Sequence, residues 1–239
     1  MSYELFISLR HLRAKRSQKF ISLNTWISVG GVALGVMALI VVIAVMSGFG
    51  KDLRDKILGT NSHIVVTNIT RTGMEDYEAI IEKVIKAEGV KAAAPFILNQ
   101  VMLTYGGNAI GVVVRGVDPD REAGVSDLEK NLVQGSLEML GGSEKSSRKP
   151  RRDGIILGKE LARRLGLQRD DAVSMVAPAS RVTPMGLIPK IKLFKVVGFF
   201  ESGMFEYDSN LAFISISSAQ KFFSMKGKVS GIEIRVEDI

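Results

Sequence analysis

The chain has 239 residues, 46% of them apolar, and a formal net charge of +7. It contains no cysteine, which excludes disulfides, thiol nucleophiles, thiolate metal sites and a lipid-modified N-terminal cysteine. Residues 1–50 hold five cations and one anion; the remaining 27 cations and 24 anions nearly balance at +3, which argues against a nucleic-acid surface.

Residues 1–20 carry Arg10, Arg13, Lys15, Arg16 and Lys19 against Glu4, with Tyr3, Phe6, Leu9 and Leu12 spaced for one helical face. That pattern suits a helix lying in a membrane interface, its cations drawn to anionic lipid. From Phe20 to Gly50 no Asp, Glu, Lys or Arg occurs. A helix needs roughly 20 apolar residues to cross the hydrocarbon core, and the uncharged run has neither the alternation nor the turns of a barrel strand. It is much longer than the ~7–15-residue apolar region of a signal peptide and ends at Met46-Ser47-Gly48-Phe49-Gly50. A transmembrane helix is therefore expected over 21–48, with a cytoplasmic N-terminus set by the preceding cations and an outer domain over 49–239. Gly31 and Gly35 form a small-xxx-small face on which a second helix could pack. The two histidines, His11 and His63, fall on opposite sides of this span and cannot share a site.

In the outer region, Asn61–Ile69 is β-branched and reads as a strand. Met74–Ala87 places Tyr77, Ile80, Ile81, Val84 and Ile85 at helical spacing, with Thr72 or Asp76 to start the helix and Gly89 to end it. Val90–Leu103 reads as extended, and Ala109–Val117 as a strand following the Gly106-Gly107-Asn108 turn. This order predicts an α+β fold with helices layered on a sheet. Asp118-Pro119-Asp120 ends the unit, 121–140 is helical or irregular, and 141–152 is a Gly/Ser/basic loop. Gly154–Leu157 reads as a strand, Gly158–Leu165 as a helix stopped by Gly166, and Ala172–Val176 as a strand.

The stretch Ala177-Pro178-Ala179-Ser180-Arg181-Val182-Thr183-Pro184-Met185-Gly186-Leu187-Ile188-Pro189 contains three prolines, which cannot donate to a sheet. It is expected to be no ordinary strand but a stiff arm turning at Thr183-Pro184-Met185-Gly186, its apolar tip either docking a partner or folding back on the domain. Strands are expected again at Ile191–Phe200 and Leu211–Ser217, a helix at Ser218–Phe223, and a strand at Gly231–Val236. No phosphate-binding loop, His-Glu-x-x-His or Ser/His/Asp set occurs, so no cofactor, metal or catalytic residue is assigned. Asp118 with Asp120 reads as a turn pair around proline, and Ser146–Lys149 lacks the partner motifs of a penicillin-binding site. Asn68-Ile69-Thr70 matches a glycosylation acceptor.

The run Ile27-Ser28-Val29-Gly30-Gly31-Val32-Ala33-Leu34-Gly35-Val36-Met37-Ala38-Leu39, followed by Val45-Met46-Ser47-Gly48-Phe49 and Ile57-Leu58-Gly59, resembles the first span of the LolC/LolE family of lipoprotein-releasing ABC transporter permeases. Thr183-Pro184-Met185-Gly186-Leu187-Ile188-Pro189 resembles that family's Hook, and Gly158-Lys159-Glu160-Leu161-Ala162 and Val196-Val197-Gly198 also fit. The resemblance implies an inner-membrane permease subunit with a periplasmic domain after its first span, Porter-like over about 60–118 and 195–239 and Sabre-like over about 119–194. It implies a second permease subunit, cytoplasmic ATPase subunits that hydrolyse the ATP, lipoprotein substrates, and a periplasmic carrier, LolA, recruited by a Hook at Ala177–Pro189. The family's polar and basic Pad maps onto Val173, Ile191 and Lys192, of which Lys192 keeps the character. The chain ends at Ile239, before the family's remaining spans and its ATPase-coupling element. Two other readings accompany this one: a MacB-like efflux or FtsX-like signal-transmitting permease, and a membrane-anchored periplasmic enzyme.

Overall fold

The computed structural model describes residues 3–13, 19–60, 62–68, 73–141, 152–183 and 186–237. These fall into two compact units, Met1–Arg54 and Asp55–Ile239. The first carries a short helix, α1 (Tyr3–Arg13), with Tyr3 and Phe6 exposed. A long helix, α2 (Lys19–Thr60), follows. At 1.5 Å per residue its 42 residues extend about 63 Å. Among the described residues it is the one helix long and apolar enough to cross a membrane, by length and composition. A Cβ added at Gly31 or Gly35 would meet no other atom, so that face of α2 is open.

The second unit has sixteen-residue and fifteen-residue strands at its centre. In chain order it runs β1 (Ile64–Thr67), α3 (Tyr77–Ile85), β2 (Val90–Tyr105), β3 (Asn108–Val117), α4 (Pro119–Val125), β4 (Leu132–Gln134) and a 3-10 turn at Leu137–Gly141. It continues with β5 (Gly154–Gly158), α5 (Lys159–Leu165), β6 (Ala172–Thr183), β7 (Gly186–Phe200), α6 (Phe205–Asn210), β8 (Leu211–Ser215), α7 (Ile216–Phe223) and β9 (Gly231–Val236). The mixed α and β content agrees with the sequence expectation.

The strand order is β1-β9-β2-β3-β8-β5-β7-β4, and β6 pairs with both β7 and β2. That last pairing, Met102–Thr104 of β2 against Ser174–Val176 of β6, closes β2, β3, β8, β5, β7 and β6 on themselves. A plain layered sheet was expected; the closure removes edges that an open sheet would leave. The interior is filled by alternate residues of each strand: Val101, Leu103, Val112, Val114, Ala212, Ile214, Ile155, Leu157, Phe194, Val196, Val173 and Met175. A small ring of this kind is a packed core rather than a channel.

Helix α7 closes on β2 and β3. A Cβ at Gly116 would lie 2.5 Å from the Ala219 Cβ, so glycine is what lets this helix approach. The segment between α4 and the 3-10 turn covers the outer face with a second cluster, Val117, Leu128, Leu137, Leu140, Ile156, Phe200 and Phe213. All five residues of β5 are therefore buried, and its sequence shows no alternation. Asp118 caps α4, its carboxylate accepting from the Asp120 N–H at 3.2 Å, which gives this turn pair a structural role. Gly166 ends α5 in the left-handed region at φ 73°.

Candidate functional site

The arm is a continuation of the ring. Strands β6 and β7 pair from Ala172↔Lys195 to Ala177↔Lys190, and again from Arg181↔Ile188 to Thr183↔Gly186. The expectation of a non-strand arm is thus corrected, because the described backbone is a β-hairpin. Its register shifts between Ala177 and Arg181. Pro178 and Pro189 both lie within that irregularity, where the ladder demands no donor. The prolines do break the pairing, but only locally. Pro184 and Met185, with the predicted turn at the tip, lie outside the described residues, as do Ser146–Lys149 and most of the glycosylation match. Past Val176, the described pairing of β6 is with β7 alone, so the hairpin leaves the ring there.

The three residues mapped to a Pad do not share one face. Val173 pairs with Phe194 and points into the core, fully buried. Met175 pairs with Lys192 on the same face, and Lys192 forms an ion pair with Asp153 while its Nζ sits 5.1 Å from the Phe194 ring centroid. Ile191 lies on the opposite face, 62% exposed. Met102↔Val176↔Ile191 form a row across β2, β6 and β7, with Leu193 next to it. Of these, Met102, Ile191 and Leu193 are exposed apolar side chains. Beside the row lies a hollow of about 540 Å³, lined by Gln100, Met102, Val113, Val176, Pro189 and Asn210 among others. Its lining carries no charged side chain.

On the other face the arm's root is held by polar contacts. Lys190 Nζ donates to the Lys221 carbonyl at 2.9 Å and to the Ser224 hydroxyl at 3.3 Å. Burial pushes the Asp153 carboxyl up, but hydrogen bonds from Lys192 and Ser218 and the charges of Lys192 and Lys221 hold it below the usual carboxylate range.

A buried charged cluster lies away from the arm. Arg115 of β3 pairs with Glu233 of β9 and has Glu122 of α4 at 3.6 Å. Ser126 donates to Glu122 at 2.6 Å. Burial pushes the Glu233 carboxyl up to about 7, Arg115 opposing the shift and Glu122 adding to it. Sequence reasoning passed over this cluster, although a lone arginine in Val112-Val113-Val114-Arg115 and a lone glutamate in Ile232-Glu233-Ile234 were its signals. The hollow beside it is only about 20 Å³, room for about one water. It holds no substrate-sized space, so the cluster supplies structure rather than an active site. Among the described residues no three His, Asp or Glu side chains converge to hold a metal.

Comparison with known proteins places this architecture. The lipoprotein-releasing system transmembrane protein LolC of Neisseria meningitidis serogroup B is 35% identical over 237 residues, covering 99% of this chain and 55% of that one. LolC of Xylella fastidiosa is 37% identical over 233 residues, covering 98% of this chain and 54% of that one. LolE of Haemophilus influenzae is 24% identical over 243 residues, covering 100% of this chain and 56% of that one. The chain thus spans about half the length of these relatives, and the resemblance to LolC/LolE read from the span and the Thr-Pro-Met-Gly stretch is borne out. The MacB-like periplasmic core domain family matches residues 25–239, and the chain belongs to that family.

Proposed function

We propose that this chain is the N-terminal part of a permease subunit that passes lipoproteins from the inner membrane to a soluble periplasmic carrier. The observation that carries the reading is the β6–β7 hairpin, which leaves the closed ring past Val176 in a chain whose relatives are named as lipoprotein-releasing system proteins. In this reading α2 crosses the inner membrane with its N-terminus in the cytoplasm, since the cations cluster before the span. The open Gly31 and Gly35 face packs against another membrane helix. The Asp55–Ile239 unit lies in the periplasm, with Porter-like parts at about 60–118 and 195–239 and a Sabre-like part at about 119–194. The arm, Ala177–Pro189, is the Hook on which LolA docks. A second permease subunit and cytoplasmic ATPase subunits complete the transporter, and ATP hydrolysis resides in the latter.

Carrier docking by the arm is tested by Met185→Asp and Pro184→Asp in a pull-down with purified LolA. A charge at an apolar hot spot costs several kcal/mol of binding, enough to abolish capture. Both variants should remain folded by circular dichroism and lose the carrier. Unchanged capture would rule out the arm as the docking element. A MacB-like efflux permease, the reading nearest to the family name, would capture no carrier in either form and would instead co-purify with an outer channel.

A further inference from the structure

Where the hairpin leaves the ring, β6 has lost its β2 neighbour and the ladder is about to shift register. A two-stranded ribbon with an interrupted ladder has little to fix its direction. At this point the side chain of Lys190, paired in register with Ala177, reaches back to the body. Its Nζ meets the C-terminal turn of α7 at the Lys221 carbonyl and the Ser224 hydroxyl, 2.9 and 3.3 Å away. A helix C-terminus carries carbonyls without intrahelical partners and a partial negative charge, so an ammonium there is favourable. Ser224 itself caps α7 in the left-handed region at φ 60°. The same Nζ lies 5.7 Å from the centroid of Phe222, which is 1% exposed and packs edge-to-face on Phe194 at 6.2 Å. The receiving turn is exposed at Lys221 and Ser224 but is anchored to the core between them through Phe222. Lys192, two residues on and on the same face, makes a second tie to Asp153.

We propose that Lys190 is a positioning residue, which fixes the direction of the arm by clamping its root to the C-terminal turn of α7. The arm's role as a docking element rests on the function proposed above, but the clamp is a property of the fold and is read without any partner. Its consequence is that the arm is presented in one direction, and the cost of ordering it is met before docking rather than during it.

The test exploits a chain without native cysteine. Spin labels are placed at Ser180→Cys on the arm and Arg164→Cys, an exposed position on α5, in the full chain in detergent. Their distance distribution is then measured by pulsed electron resonance. The parent should give one narrow distribution. Lys190→Met keeps an unbranched stem over Phe222 but removes the donors, and should widen the distribution roughly twofold while the far-UV circular dichroism spectrum stays parental, with a small loss of stability at most. Lys190→Ala should do the same, and Lys190→Arg, which can still donate to the carbonyl, should restore the narrow distribution. A parental width in Lys190→Met and Lys190→Ala overturns the clamp. Loss of carrier capture in Met185→Asp bears on docking alone, so the two readings fail separately.

Discussion

Glu233 offers a quantitative test of the buried cluster. Burial raises its pKa from 4.5 to about 7 in the folded protein, against the attraction of Arg115. The folded state therefore holds this proton more tightly than the unfolded chain does. The resulting stability is fully present below about pH 4.5 and is lost as the pH rises through about 7. A shift of that size, at 1.36 kcal/mol per pKa unit, corresponds to on the order of 3 kcal/mol across the window. Urea unfolding of the full chain in detergent, followed by far-UV circular dichroism between about pH 5 and pH 8, reads this directly. Stability should decline over that interval and then level off. Glu233→Gln keeps an acceptor for Arg115 without a titrating proton, and should flatten the decline. A parent whose stability is constant or rises with pH, or a Glu233→Gln variant with the parental slope, would refute the reasoning.

Two further substitutions probe the packing. Phe194 is fully buried at the ring centre against Phe222, so Phe194→Ala should cost about 3–5 kcal/mol in the same urea titration. Gly116→Val would drive a Cβ to within 2.5 Å of the Ala219 Cβ on α7, and the helix must shift to admit it. A loss of about 1–3 kcal/mol is expected, partly recovered by pairing it with Ala219→Gly.

Local signals carried much of this fold. The Gly106-Gly107 turn between β2 and β3, α5 with its Gly166 stop, and the Leu211–Phe223 strand-to-helix passage are written in residues adjacent in sequence. The closure of the ring was not legible. It depends on Met102–Thr104 meeting Ser174–Val176, and nothing in the periodicity of either segment specifies that register. The arm shows the opposite case: its prolines are visible in the sequence, but the non-strand reading drawn from them does not hold. The ladder skips Pro178 and Pro189 at the register shift between Ala177 and Arg181, and strand survives on both sides. Helix α6 was missed because its six residues are too few to show a period. Its place is recorded instead in Gly158, where a Cβ would collide with the Asp208 carbonyl at 2.2 Å. Among the arm's neighbours, the lysines at 190 and 192 looked alike in sequence, and their contacts with α7 and Asp153 depend on folding of the whole ring.

The most direct test of the account is the side of the membrane on which the Asp55–Ile239 unit lies. A single cysteine at Arg164, exposed on α5, is placed in the otherwise cysteine-free chain and treated in intact cells with a maleimide that crosses the outer but not the inner membrane. The account predicts labelling before lysis, equal to that reached afterwards. Labelling that appears only once the inner membrane is broken would place the arm in the cytoplasm and contradict docking of a periplasmic carrier.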